Sequence, residues 1–187
     1  MEETLKASLS KGEEILWRGH AEPFQTLDKT HKPDFIRKAM IAAFIAIAFA
    51  IFMFSMGGVE KKALYMIAIV LFLCAIPASN VITDALKLRK MEYVATTERL
   101  IILRDAARSA YYSQIRTGAF KEDIDGHVSL VCGPDAMKAK PYKRREICVV
   151  GAGAGESGAE CTKFCFYAPT DRETLEKVLH ERMPSLF

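Results

Sequence analysis

The strongest chemical pattern lies near the end of the chain. Gly153, Gly155 and Gly158 stand in G-x-G-x-x-G spacing directly after the apolar run Ile147-Cys148-Val149-Val150. Such glycines let a backbone approach a dinucleotide pyrophosphate, provided the loop opens a helix that leads to a second parallel strand ending in an acidic residue. Here the chain continues with Cys161-Thr162-Lys163-Phe164-Cys165-Phe166-Tyr167, a strand pattern, and then Pro169. The glycines are therefore read as a hairpin loop.

Five cysteines, Cys74, Cys132, Cys148, Cys161 and Cys165, offer metal or redox chemistry, but no C-x-x-C occurs. Cys161 and Cys165, four apart on a strand, would be well over about 10 Å from each other. The histidines His20, His31, His127 and His180 are scattered, so the spacing predicts no zinc site. An odd count without framework spacing predicts no disulfide scaffold, and the thiols read as small buried apolar residues. No Ser/His/Asp or Cys/His arrangement can be assigned from spacing. The sequence thus predicts no catalytic residue, no cofactor and no metal.

The last chemical cluster is basic: Lys138, Lys140, Lys143, Arg144 and Arg145. Together with Lys87, Arg89 and Lys90 it offers a surface for anionic headgroups, at about 1 kcal/mol per basic residue near a membrane. The alternative is a solvated loop. A formal net charge of +3 over 187 residues does not suggest the dense basic face of a nucleic-acid binder.

The elements that must position these residues fall into two kinds. From Ala39 to Met56 the chain reads AMIAAFIAIAFAIFMFSM, with Ser55 its only polar residue. As a helix this run spans about 27 Å, close to the hydrocarbon core of roughly 30 Å. Its eight Ile and Phe residues favour insertion by roughly 4 kcal/mol, most of which one central charge would offset. A second run, Ala63 to Val81, contains Pro77, which membrane helices tolerate where neighbours satisfy the freed carbonyl. Only residues 57–62 separate the runs, so the second is expected to return antiparallel. Asp84 then falls near the interface, a poor place for a proton relay.

Lys29, Lys32, Arg37 and Lys38 precede this hairpin and Lys87, Arg89 and Lys90 follow it, against Lys61 and Lys62 in the link. The positive-inside rule then puts both termini in the cytoplasm. No basic region leads into an early apolar stretch, so no cleaved leader is expected. Ala42, Ala46 and Ala50 form one i, i+4 row, the small-residue face on which membrane helices pack closely. The partner is either the second helix or a different protein.

From Met91 onward the period shortens. Strands are predicted at 92–97, 99–104, 110–115, 117–122, 127–132, 146–150 and 162–167, with Asp125-Gly126 as a hairpin turn. Thr170 and Glu173 offer a capping box, and Leu175, Val178 and Leu179 an apolar stripe, for a final helix that Met183-Pro184 ends.

Tyr93-Val94-Ala95-Thr96-Thr97-Glu98-Arg99-Leu100-Ile101 resembles the Y-x-[VL]-T-x-x-R-[LIV]-[LIV] opening of bacterial pleckstrin-homology-like (PH-like) membrane proteins, where it follows a two-helix hairpin. Gly12-Glu13-Glu14-Ile15-Leu16-Trp17-Arg18-Gly19, with Pro23 after it, is similar to that family's N-terminal G-E-x-[IVL]-x-W-x-G-x-P. Tyr112-Ser113-Gln114-Ile115 loosely matches its S-x-I strand. The resemblance covers most of the chain. It implies an α+β membrane protein with three parts. These are an N-terminal cytoplasmic segment 1–34, a transmembrane hairpin 35–86, and a PH-like split barrel of about seven strands at 91–187, closed by a C-terminal helix. Within it, Arg99 is expected to bond turn carbonyls or Glu98, and Trp17 either to anchor at the membrane interface or to pack on the β domain.

With a connector as short as Lys87–Lys90, the β domain is expected close to the inner face of a bacterial cytoplasmic membrane. The expected role is a non-catalytic adaptor or accessory subunit contacting membrane lipids and another integral membrane protein, with no nucleic acid. The alternative is a sensor reading anionic headgroups through the basic cluster.

Overall fold

The computed structural model describes residues 2–55, 61–104, 106–150 and 159–186, the side chains of 2–4, 61–64, 73–74 and 77–78 excepted. The two glycine-bearing links, 56–60 and 151–158, lie outside the described residues, and with them the G-x-G-x-x-G segment. The chain is α+β and divides into two compact units, Gln25–Asp84 and the remainder.

The smaller unit contains α2 (Lys32–Ser55) and most of α3 (Lys61–Leu88). Asp28 starts α2: its carboxylate accepts the His31 N–H at 2.8 Å and its carbonyl accepts the Lys32 N–H. Pro33, early in the first turn, lacks an N–H that would be unsatisfied there anyway. Asp34 complements the positive end of the helix dipole and binds Arg37 and Lys38. Among the described residues, α2 is the one helix long and apolar enough to cross a membrane. Its large side chains point outward, with Phe44 73% and Phe54 63% exposed.

The larger unit holds two antiparallel sheets. The first has the order β1-β2-β3-β4, from Ile15–His20, Glu92–Thr96, Arg99–Leu103 and Ala107–Tyr111. The second has the order β5-β6-β7, from Gly118–Glu122, Val128–Cys132 and Phe164–Phe166. A helix, α6 (Arg172–Arg182), closes the chain and buries Leu175 and Leu179. The core gathers Trp17, Tyr93, Leu100, Leu130, Phe164 and Phe166 with those leucines.

Strand β3 is buried at every position, which a two-faced strand achieves only if both faces are covered. Leu100 and Ile102 enter the main core. Ile101 and Leu103, with Val94, pack under Leu5 of α1 (Glu2–Ser8).

Several expectations are corrected. The first residues are no separate segment 1–34. Strand β1 pairs with β2 from Ile15 opposite Thr96 to His20 opposite Glu92, so Met1–Phe24 join the β unit. The run 146–150 is not a strand: it lies in α5 (Arg144–Val150), after the short helix α4 (Pro134–Lys138) and a single 3-10 turn. Strand β4 ends at Tyr111, and residues 112–114 form another 3-10 turn. The capping box does not form. Thr170 Oγ accepts the His20 N–H at 3.2 Å, and Asp171, in left-handed geometry, occupies the N-cap position of α6 without a side-chain cap hydrogen bond.

Candidate functional site

The residues of the two sequence motifs converge on one polar pin. Arg99, at the start of β3, donates from Nε to Glu13 Oε1 and from Nη2 to Glu13 Oε2, both at 2.9 Å. Thr96 Oγ donates to Glu13 Oε1 at 2.7 Å and accepts the Arg99 N–H at 3.1 Å. The Ser10 N–H also binds Glu13. Burial pushes the Glu13 carboxyl up, but hydrogen bonds from Arg99, Ser10 and Thr96, with the Arg99 charge, win and hold its pKa at about 2. Arg99 further reaches the Ser8 carbonyl and Tyr111 Oη. Its guanidinium therefore hydrogen-bonds Glu13 rather than a turn carbonyl, while Glu98 acts on it through charge alone. The pin fastens the N-terminal segment to the sheet and carries no reacting group.

Trp17 packs in the core, stacked on Phe166 with ring centroids 6.0 Å apart. It folds over Gly19, where a Cβ would lie 2.5 Å from the indole ring. That contact is why W-x-G needs its glycine.

The basic cluster does not assemble as one surface. Lys138 and Lys140 are exposed, and Lys143 pairs with Glu146 at 2.6 Å. Arg144 is buried and donates to the carbonyls of Lys121 and Glu122 at 2.9 and 3.0 Å. Arg145, 1% exposed, lies 4.3 Å from the Phe24 ring centroid and 5.0 Å from that of Tyr167. It also donates to Tyr167 Oη, which in turn donates to Asp123. These two arginines are core cations and cannot meet a headgroup.

Positive charge gathers elsewhere on the β unit. Arg18, His20, Arg89 and Lys90, with Gly19, Met91 and Glu92, line a groove of about 460 Å³. Alternation along β1 sends Trp17 and Gly19 inward and Arg18 and His20 outward. Arg18 binds Glu92. Arg89 donates to the Phe24 carbonyl at 3.2 Å and lies 5.5 Å from its ring centroid. Sequence reasoning missed Arg18 and His20, although the W-R-G-H alternation marks them once β1 is recognised as a strand.

Burial pushes the thiols of Cys132, Cys148, Cys161 and Cys165 up, that of Cys161 to about 11. Cys148 Sγ lies 3.4 Å from Tyr93 Oη. Such thiols are poor nucleophiles. Among the described residues, no three His, Cys, Asp or Glu side chains converge on a metal position. On α2, Ala46 is the most buried of the alanine row, and Ala42 and Ala50 are half-buried.

No protein-family model matches this chain, and neither curated proteins nor solved structures yield a match.

Proposed function

We propose that the protein is a non-catalytic, membrane-anchored PH-like module that positions or stabilises another integral membrane protein. The observation that carries this reading is α2. It has the length and composition to cross a bilayer, its large side chains face outward, and the row Ala42, Ala46, Ala50 marks a face where a second helix can approach closely. In this reading α3 is the return span, and both termini are cytoplasmic because seven basic residues flank the hairpin against two in its link. The membrane is then the bacterial cytoplasmic membrane, as the family resemblance implies. Four strands and three strands in two sheets, with α6 behind them, support the PH-like reading of the β unit.

The test is purification of the full chain in mild detergent with a photo-crosslinking residue at Ala43, exposed beside that row. A crosslinked second membrane protein, lost when Ala46 is replaced by Trp, is the expected result. A chain that crosslinks only to itself and elutes as a lone monomer overturns the adaptor role. Protease added to inverted vesicles should digest the 91–187 region; protection would overturn the topology.

A further inference from the structure

We infer that the groove between the end of β1 and the start of β2 binds the phosphate of an anionic phospholipid headgroup. The inference rests on the membrane-anchored reading above and adds a ligand to it.

Three permanent cations, Arg18, Arg89 and Lys90, and one carboxylate, Glu92, line the groove. His20 and Lys90 are exposed, and their side chains hold no partner among the described residues. The groove is therefore built with an excess of positive charge and at least one cation ready to receive an anion. Its other members are held in place. Glu92 engages Arg18, and the Phe24 carbonyl and ring fix Arg89. A guanidinium held this way loses less side-chain freedom when a phosphate arrives. The floor is closed by Gly19, which is buried, and Met91, 2% exposed.

Connectivity selects lipid over a free phosphate ester. Arg89 and Lys90 follow α3 directly, and the part of α3 from Val81 to Leu88 is about 11 Å long. If α3 is the return span, the groove cannot stand farther from the bilayer than this short stalk allows. Phosphate groups are concentrated there, and each nearby basic residue contributes to attraction. Lys138 and Lys140 are exposed, Lys143 pairs with Glu146, and Arg144 and Arg145 are committed to the core.

The test is native mass spectrometry of the detergent-solubilised full chain, offered equal amounts of phosphatidylglycerol and phosphatidylcholine. Phosphatidylglycerol should be retained in preference. Lys90→Gln should lower that preference about fivefold, and the Arg18→Gln/Lys90→Gln pair by about the square of that factor. Lys138→Gln/Lys140→Gln is the charge-matched control and should leave the preference intact, with unchanged melting as the check on folding. Equal retention of the two lipids, or an equal loss in the control, overturns the inference. So does inorganic phosphate at millimolar concentration displacing the lipid fully, which identifies a soluble ligand. A chain that stays soluble after detergent removal defeats the membrane reading itself. A chain that remains membrane-bound yet shows no lipid preference defeats only the groove.

Discussion

Glu13 and Arg99, 86 positions apart, meet in a two-point ion pair beneath the N-terminal segment. The Glu13 side chain is fully shielded and that of Arg99 nearly so, so neither charge finds a substitute partner in water. Removing one member leaves a buried, uncompensated charge, which typically costs about 3–5 kcal/mol. Glu13→Gln, which keeps the shape, should fall at or below the lower end and lower the melting temperature markedly. Replacing both residues by apolar ones should cost less than either single change. A thermal-melt double-mutant cycle reads this, and additive losses would show that the two do not act as a pair.

The same pair sets an acid limit. Glu13 titrates near 2 when folded, against an ordinary 4.5. A depressed carboxylate stabilises above its unfolded pKa, and that stability disappears as pH falls through the folded value. About 3 kcal/mol should therefore be lost between roughly pH 4.5 and 2. Chemical denaturation across this window should show the loss in the parent chain and a smaller slope in Glu13→Gln.

Arg145 should behave as a core residue. Stacked between Phe24 and Tyr167 and joined through Tyr167 to Asp123, it ties α5 to the second sheet and to the chain after β1. Arg145→Met keeps much of the packing but strands the Tyr167–Asp123 end of the network. A loss of about 2–3 kcal/mol is expected, seen in urea unfolding. A neutral result would mean the guanidinium is solvated and that the headgroup reading deserves revival.

How much was legible in the sequence follows from which signals are local. Six of the seven strands expected after Met91 overlap observed strands, because alternation and the Asp125-Gly126 turn act over a few residues. The run Ile147-Cys148-Val149-Val150 misled because a short apolar stretch carries no period that separates strand from helix. The 3-10 turn Pro141–Lys143 runs directly into α5 and carries that stretch on as a helix. Strand β1 was visible only as a motif, since its pairing partner β2 lies more than seventy residues away. The Glu13–Arg99 pair was hidden for the same reason. The basic cluster was misjudged because composition does not distinguish an arginine at the surface from one stacked on aromatic rings.

Gly19 should be intolerant of any side chain. A Cβ there would lie 2.5 Å from the Trp17 ring and 2.9 Å from Thr170 Oγ, and the ring is held by Phe166. Overpacking of this kind costs about 1–3 kcal/mol. Trp17 is the chain's single tryptophan, so its fluorescence reports the event directly. Gly19→Ala should shift the emission to the red and lower the unfolding midpoint. An unchanged spectrum would mean that the ring has room to move.

The membrane reading stands on α2 being at ease in lipid, and one charge tests it. Ile47, 59% exposed, sits at the middle of the apolar stretch. Ile47→Lys should cost about 3 kcal/mol of insertion free energy, plus the contribution of the lost isoleucine, against roughly 4 kcal/mol available from the Ile and Phe residues. That leaves insertion near balance. Alkaline extraction of membranes should release a large share of the Ile47→Lys chain while the parent stays in the pellet. The same lysine at Lys32, its native place at the start of α2, lies where a cation reaches the interface and costs little. A position-dependent response of this kind is what a bilayer imposes on a spanning helix. A helix buried in a soluble partner predicts a different map, in which the half-buried alanine face is sensitive and the exposed Ile47 face is not. Equal extraction of Ile47→Lys and the parent would remove the anchor on which the adaptor role depends.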